Sequence, residues 1–340
     1  MMKKRKPIGI LVPLVLLLLA ADPFAAAGTD IPDRPYFGQA PPGTAPELFA
    51  PGIVSTAAHE LAVTVSPDLR EFYVSRSSLN WLTSIVCFKR TARGWSGPEL
   101  APFIKGWADV YPFYSAGENA IFFNSGRPLP GTEGGKPLRT IWVTRRSGAN
   151  WSAAEILSEQ LDLSLHMTHP SVARSGNIYF NSTMNGSLGG SDIYVLERKG
   201  NGYGAIRNLG PAVNSAQPEF HPFIAPDESY LIFDSPRPEG LGGNDLYVSF
   251  RQPDGAWSPA VNMGKGINSE DADMRAFVSP DGKYLFFSST RANPQDRVED
   301  EHPTYEAFAN MIQGPGNGSQ DIYWVSAAVI EPLKYARAAE

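Results

Sequence analysis

The 340-residue sequence contains one cysteine, five histidines and a single long apolar run. The lone Cys87 cannot form an internal disulfide, so the fold must be held by a packed core. It also lies far from the N-terminus, which leaves no cysteine to carry a lipid beside an export signal. The apolar run, Ile8 to Ala21, is fourteen residues long and interrupted by Pro13, short of the roughly 20 that a membrane-spanning helix needs. Lys3, Lys4, Arg5 and Lys6 precede it and Ala25-Ala26-Ala27 follow, the pattern of a cleaved export signal over residues 1–27. The sequence therefore predicts a periplasmic or secreted monomer with no transmembrane segment after cleavage. Positive charge is scarce as well: without residues 1–27 the chain has 25 Lys and Arg against 34 Asp and Glu, a net charge of −9. A nucleic-acid partner is excluded, because phosphate binding needs a basic face. Catalytic signatures are missing too, with no G-x-S-x-G elbow, H-E-x-x-H helix or P-loop.

What is plentiful is turns between short apolar runs. Thirty-two Gly and thirty Pro, in a chain also rich in Tyr, Phe, Val and Ile, indicate an all-β protein of many short strands. Five copies of one unit account for them: HELAVTVSPDLREFYVSR from His59, DVYPFYSAGENAIFFNSGR from Asp109, MTHPSVARSGNIYFNST from Met167, EFHPFIAPDESYLIFDSPR from Glu219 and DMRAFVSPDGKYLFFSSTR from Asp273. Counted from the first turn residue (Ser66, Ser115, Ala173, Ala225, Ser279), the spacings are 49, 58, 52 and 54. Two apolar runs flank each Ser-Pro-Asp-Gly-like turn and make a hairpin. A third run follows, as in SIVCFKR or DLYVSFR, and then an outer strand after Trp95, Trp151, Tyr203 and Trp257. Four antiparallel strands recurring about every 50 residues predict the blades of a β-propeller. The fifth copy has no outer strand of its own. PELFAPGIVST, near the mature N-terminus, resembles the outer-strand phrases that end in INS, so residues 46–56 are expected to close blade five. The prediction is five blades over residues 46–335, starting near 57, 108, 167, 218 and 272, after an N-terminal extension at 28–45; six blades is the alternative.

SPDGKYLFFSSTR and GGNDLY resemble the WD40-like propeller repeat of TolB-type periplasmic proteins, over nearly all of residues 57–328. That resemblance implies fold more than function. A TolB protein has a six-bladed propeller behind an α/β domain, and neither a sixth unit nor that domain is present, so its envelope role is not carried over.

Departures among the copies point to a site. Six residues before the turn stand Glu60, Asp109, Met167, Glu219 and Asp273; four before it stand Ala62, Tyr111, His169, His221 and Arg275. Strict strand alternation would aim both sets at one mouth of the central channel. The expected ligand site is thus Glu60, Asp109, Tyr111, His169, Glu219, His221, Asp273 and Arg275, with His169, Glu219 and His221 suited to a possible divalent metal. The acids could equally serve the scaffold by bonding backbone or Arg. His166 falls on the other strand face from His169. Arg76, Arg127, Arg237 and Arg291 end the second strands, with Met184 the exception. Arg237 is expected to reach Asp245 and Arg291 to reach Asp321, leaving Arg76 and Arg127 free for an anionic ligand. The glycines of GSLGGSD and GLGGND read as turn chemistry rather than a phosphate cradle. Twenty-nine residues separate Arg291 from Asp321, where blade four uses seven, and PTYEAFANMIQ within them predicts a short helix over the mouth. Two functions fit: a binding module for an envelope protein or glycan, and a sugar hydrolase or lyase using Glu60, Asp109, Glu219 or Asp273.

Overall fold

A computed structural model of the chain describes residues 32–78, 82–105, 108–128, 140–157, 166–292 and 304–335. Residues 1–27, expected to be an export signal, most of the Pro/Gly stretch PLPGTEGGKPL that blade two inserts after its second strand, and the start of the long insertion after Arg291 lie outside these residues.

Each repeat builds one antiparallel sheet. The inner strands are His59–Val65, Val110–Ser115, Thr168–Val172, Phe220–Ile224 and Asp273–Val278, each followed by a turn and a second strand. The residue closing the turn is left-handed in all five copies (Leu69, Asn119, Gly176, Glu228, Gly282), although only two are glycine. Every inner strand packs on the next, and that of blade five packs on that of blade one. The ring is therefore closed at five blades.

Blade five takes its outer strand from the N-terminus, as the sequence predicts: Glu47–Leu48 runs antiparallel to Asp321–Ser326, with Glu47 opposite Trp324 and Leu48 opposite Tyr323. Blades three and four close the same way internally, through Asn214 and Asn268, whose side chains bond both backbone groups of Ile193 and Leu246. In blade five Ser55 Oγ does this for Ile322. The preceding residues also lock the junction. Phe37 stacks on Trp95 at 4.4 Å between ring centroids, Tyr36 lies 4.9 Å from Tyr284, and the Tyr36 hydroxyl donates to Asp281 at 2.9 Å.

The apolar core fills the spaces between adjacent blades, where faces of neighbouring sheets meet. On the axis, Phe113, Phe223 and Phe277 meet with centroids 5.7 to 6.4 Å apart. This trio plugs the channel and divides it into two mouths, one at the strand starts and one at the turns.

Candidate functional site

The inner strands are not regular where the site residues stand. In blades two to five the register with the second strand skips around Tyr111, His169, His221 and Arg275. All four are left-handed, with φ of 58°, 56°, 51° and 57°. Bulky residues avoid this region, at a cost of about 1–3 kcal/mol each, unless their surroundings impose it. Here the neighbouring blade imposes it: each strained amide donates to a polar side chain on the preceding blade's second strand. Tyr111 N bonds Ser75 Oγ (2.7 Å), His169 N bonds Asn124 Oδ1 (2.7 Å), His221 N bonds Asn181 Oδ1 (3.2 Å) and Arg275 N bonds Asp234 Oδ1 (3.1 Å).

These bulges separate the two sets that strict alternation would have placed together. Glu60, Asp109, Glu219 and Asp273 are fully buried and do not reach the mouth. Each is paired with the arginine of its own blade: Arg76 on Glu60 (2.9 Å), Arg127 on Asp109 (2.7 Å), Arg237 on Glu219 (2.8 Å) and Arg291 on Asp273 (2.5 Å). Each guanidinium also donates to a carbonyl where the previous blade ends: Val54, Phe103, Val213 and Ile267. The four pairs are inter-blade ties. Arg76 and Arg127 are therefore not free for an anion, and neither Arg237 nor Arg291 turns to the aspartate expected from its spacing. Asp245 instead accepts the amides of Leu241 and Gly242, as Asp192 does those of Leu188 and Gly189, capping the glycine loops. Those loops press on the next blade so closely that a Cβ on Gly242 would lie 1.8 Å from the Asp271 carbonyl oxygen.

Blade three is the exception twice over. Met167 stands where the acid would be and Met184 where the arginine would be, and both join one apolar cluster. The joint absence of acid and arginine from one copy was the sequence signal for the pairing.

Glu219 cannot join the two histidines around a metal. Ser215 N and Oγ donate to its carboxylate at 2.9 and 2.6 Å and Arg237 takes the rest. Among the described residues no group of three or more His, Cys, Asp or Glu is arranged to hold a metal ion.

Tyr111, His169, His221 and Arg275 do come together, around a cavity of about 40 Å³ above the phenylalanine plug. The Tyr111 and His169 rings lie 3.5 Å apart, His169 and His221 3.9 Å, and the Arg275 guanidinium sits 5.6 Å from the Tyr111 ring centroid. Behind them is a residue the sequence reading missed. Asp234 Oδ1 faces His221 Nδ1 at 2.7 Å while Asn244 donates to Oδ2 at 2.7 Å. The equivalent positions hold Ser75, Asn124, Asn181 and Ser288, so the only carboxylate in that column marks it. Burial pushes Asp234 up to about 7, against the pull of the Arg275 amide and charge. Burial, and secondarily the Arg275 charge, hold His221 well below the usual imidazole range. His221 is thus neutral near pH 7, and Arg275 supplies the permanent positive charge of the mouth.

The insertion after Arg291 forms the expected helix, Tyr305–Gln313, with Tyr305, Phe308 and Ile312 exposed. Its return is fixed at the mouth: Ser319 Oγ donates to Ala58 O at 2.9 Å, and Gln320 Oε1 accepts from Arg275 at 2.7 Å. Next to it, Asp321 is fully buried and accepts from Gly316 N at 2.6 Å. Burial, with the nearby Glu60 charge, pushes its carboxyl up to about 8. The folded chain keeps this proton to about pH 8, whereas the unfolded chain releases it near 4. Its contribution to stability is complete below the unfolded value and is lost as pH rises through 8. The free energy of urea unfolding is expected to fall between about pH 4 and 8, by at most about 1.4 kcal/mol per pH unit for this group, and Asp321→Asn is expected to flatten that slope.

Fold and site together define a five-bladed β-propeller with a narrow polar mouth on one face. No protein-family model and no curated protein matches the sequence. Among solved structures it is similar to a protein described as TolB from Agrobacterium tumefaciens, at 16% identity and TM-score 0.46, covering 78% of this chain and 90% of that one. It is also similar to TolB from Acinetobacter baumannii, at 11% identity and TM-score 0.44, covering 78% of this chain but 57% of that one. An endo-arabinase from Bacteroides thetaiotaomicron overlaps to a like degree, at 16% identity and TM-score 0.44, covering 74% of this chain and 95% of that one. At these identities the likeness concerns fold alone. Among the described residues no helix is long and apolar enough to cross a membrane.

Proposed function

We propose that this chain is an exported binding module that holds an envelope protein or glycan at the mouth formed by Tyr111, His169, His221 and Arg275. The observation that carries the reading is the backbone strain concentrated there. Four bulky residues in left-handed conformation, each held by the neighbouring blade, crowd one small cavity. The cavity admits the tip of a ligand rather than a whole molecule. Flat rings beside one guanidinium suit a carboxylate-bearing tip, such as a chain terminus or an acidic sugar.

The alternative, a sugar hydrolase or lyase, loses the carboxylates on which it rested. Glu60, Asp109, Glu219 and Asp273 are each buried in an arginine pair, away from the mouth where a glycosidic bond would enter.

The test is a thermal-shift screen of the purified protein against acidic oligosaccharides and peptides with free C-termini, since a ligand of the folded state raises its melting temperature. Arg275→Ala and His221→Ala are each expected to abolish the shift. Glu219→Gln is expected to lower the melting temperature itself and leave the ligand-induced shift in place. A ligand whose shift survives both mouth variants places binding elsewhere and ends this reading.

A further inference from the structure

The larger axial cavity lies on the other side of the phenylalanine plug, at the turn face, with a volume of about 240 Å³. Its floor is Phe113, Phe223 and Phe277. Its wall is the residue just before the first turn residue of every blade: Val65, Tyr114, Val172, Ile224 and Val278. The rim is also fivefold, made by the second turn residue of each copy: Pro67, Ala116, Arg174, Pro226 and Pro280. Four of the five rim positions are proline or alanine. Copy three alone puts a cation there. Arg174 is exposed at its side chain and fixed at its backbone, where its N–H donates to Pro226 O at 2.8 Å. The turn acids beside the rim are folded back on their own turns: Asp68 accepts from Ser66 Oγ, Asp227 from Ser229 Oγ and Asp281 from Ser279 Oγ, each at 2.6 Å.

We propose that this face carries a second site, independent of the polar mouth, which takes a small apolar carboxylate: a short acyl chain or single ring seated on the phenylalanine floor, with its carboxylate on Arg174. Apolar walls with one placed polar group are the usual make-up of a small-molecule site. Because the plug separates the two cavities, a ligand here touches none of the residues at the mouth.

Calorimetric titration of the purified protein with octanoate and with 1-octanol tests it. Octanoate is expected to bind about tenfold tighter than the alcohol, the worth of one charge-assisted hydrogen bond. Arg174→Ala should bring octanoate down to the level of octanol without moving the unfolding midpoint, since that side chain is exposed. Ala116→Trp, also at an exposed rim position, should block both ligands, while Arg275→Ala on the far face should change neither. Equal affinity for acid and alcohol, an octanoate affinity unchanged in Arg174→Ala, its loss in Arg275→Ala, or no heat at millimolar octanoate would each overturn the proposal.

Discussion

A chain beginning at residue 57 is expected not to fold. Blade five would lose its only outer strand, and Tyr36, Phe37, Phe49, Ala50 and Val54, all buried, would leave the junction between blades five and one. Fully burying a large apolar side chain contributes about 1.5–3 kcal/mol. Three aromatic rings and Val54 therefore approach the whole stability of an ordinary domain, about 5–15 kcal/mol. The remaining loss is topological: the Val54 carbonyl no longer meets Arg76, leaving one of the four ion-paired ties without its anchor. Circular dichroism and gel filtration should show an aggregated or unfolded product, and adding a peptide of residues 32–56 in trans should recover β-structure. A folded monomer from the truncated chain would mean that the ring closes without its latch.

The second expectation concerns the arginine–carboxylate ties. Arg127→Met leaves Asp109 buried and unpaired and should cost about 3–5 kcal/mol in urea unfolding. The double change Asp109→Met and Arg127→Met copies what blade three already has in Met167 and Met184, where an apolar pair joins a core cluster. It should recover most of that loss, because a well-packed hydrophobic pair of similar volume is often neutral relative to a buried ion pair. A double variant as unstable as the single one would show that the guanidinium bond to the Phe103 carbonyl, rather than the pairing of charges, carries the tie.

Why the acids were misplaced has a simple physical cause. Period-two alternation holds only while a strand stays in register, and the bulges at Tyr111, His169, His221 and Arg275 turn the residues four before the turn toward the axis and those six before it into the blade junction. The interactions that force the bulges run between copies: Asn124 to His169, Asn181 to His221, Asp234 to Arg275. Spacing within one copy cannot report them. Comparison down the columns of copies could have done better, since Met167 with Met184, and Asp234 among serines and asparagines, are both visible there.

The sequence by itself determined the repeat, the hairpins, the number of blades and the N-terminal strand that closes them, because turn chemistry and apolar alternation are local and each copy states them again. Which side chains meet was decided only by the closed ring. Closure sets each blade against its neighbour, pairs Glu60, Asp109, Glu219 and Asp273 each with an arginine that anchors the previous blade, drives three phenylalanines together on the axis, and leaves a polar mouth on one side of them and an apolar cavity with a single arginine at its rim on the other.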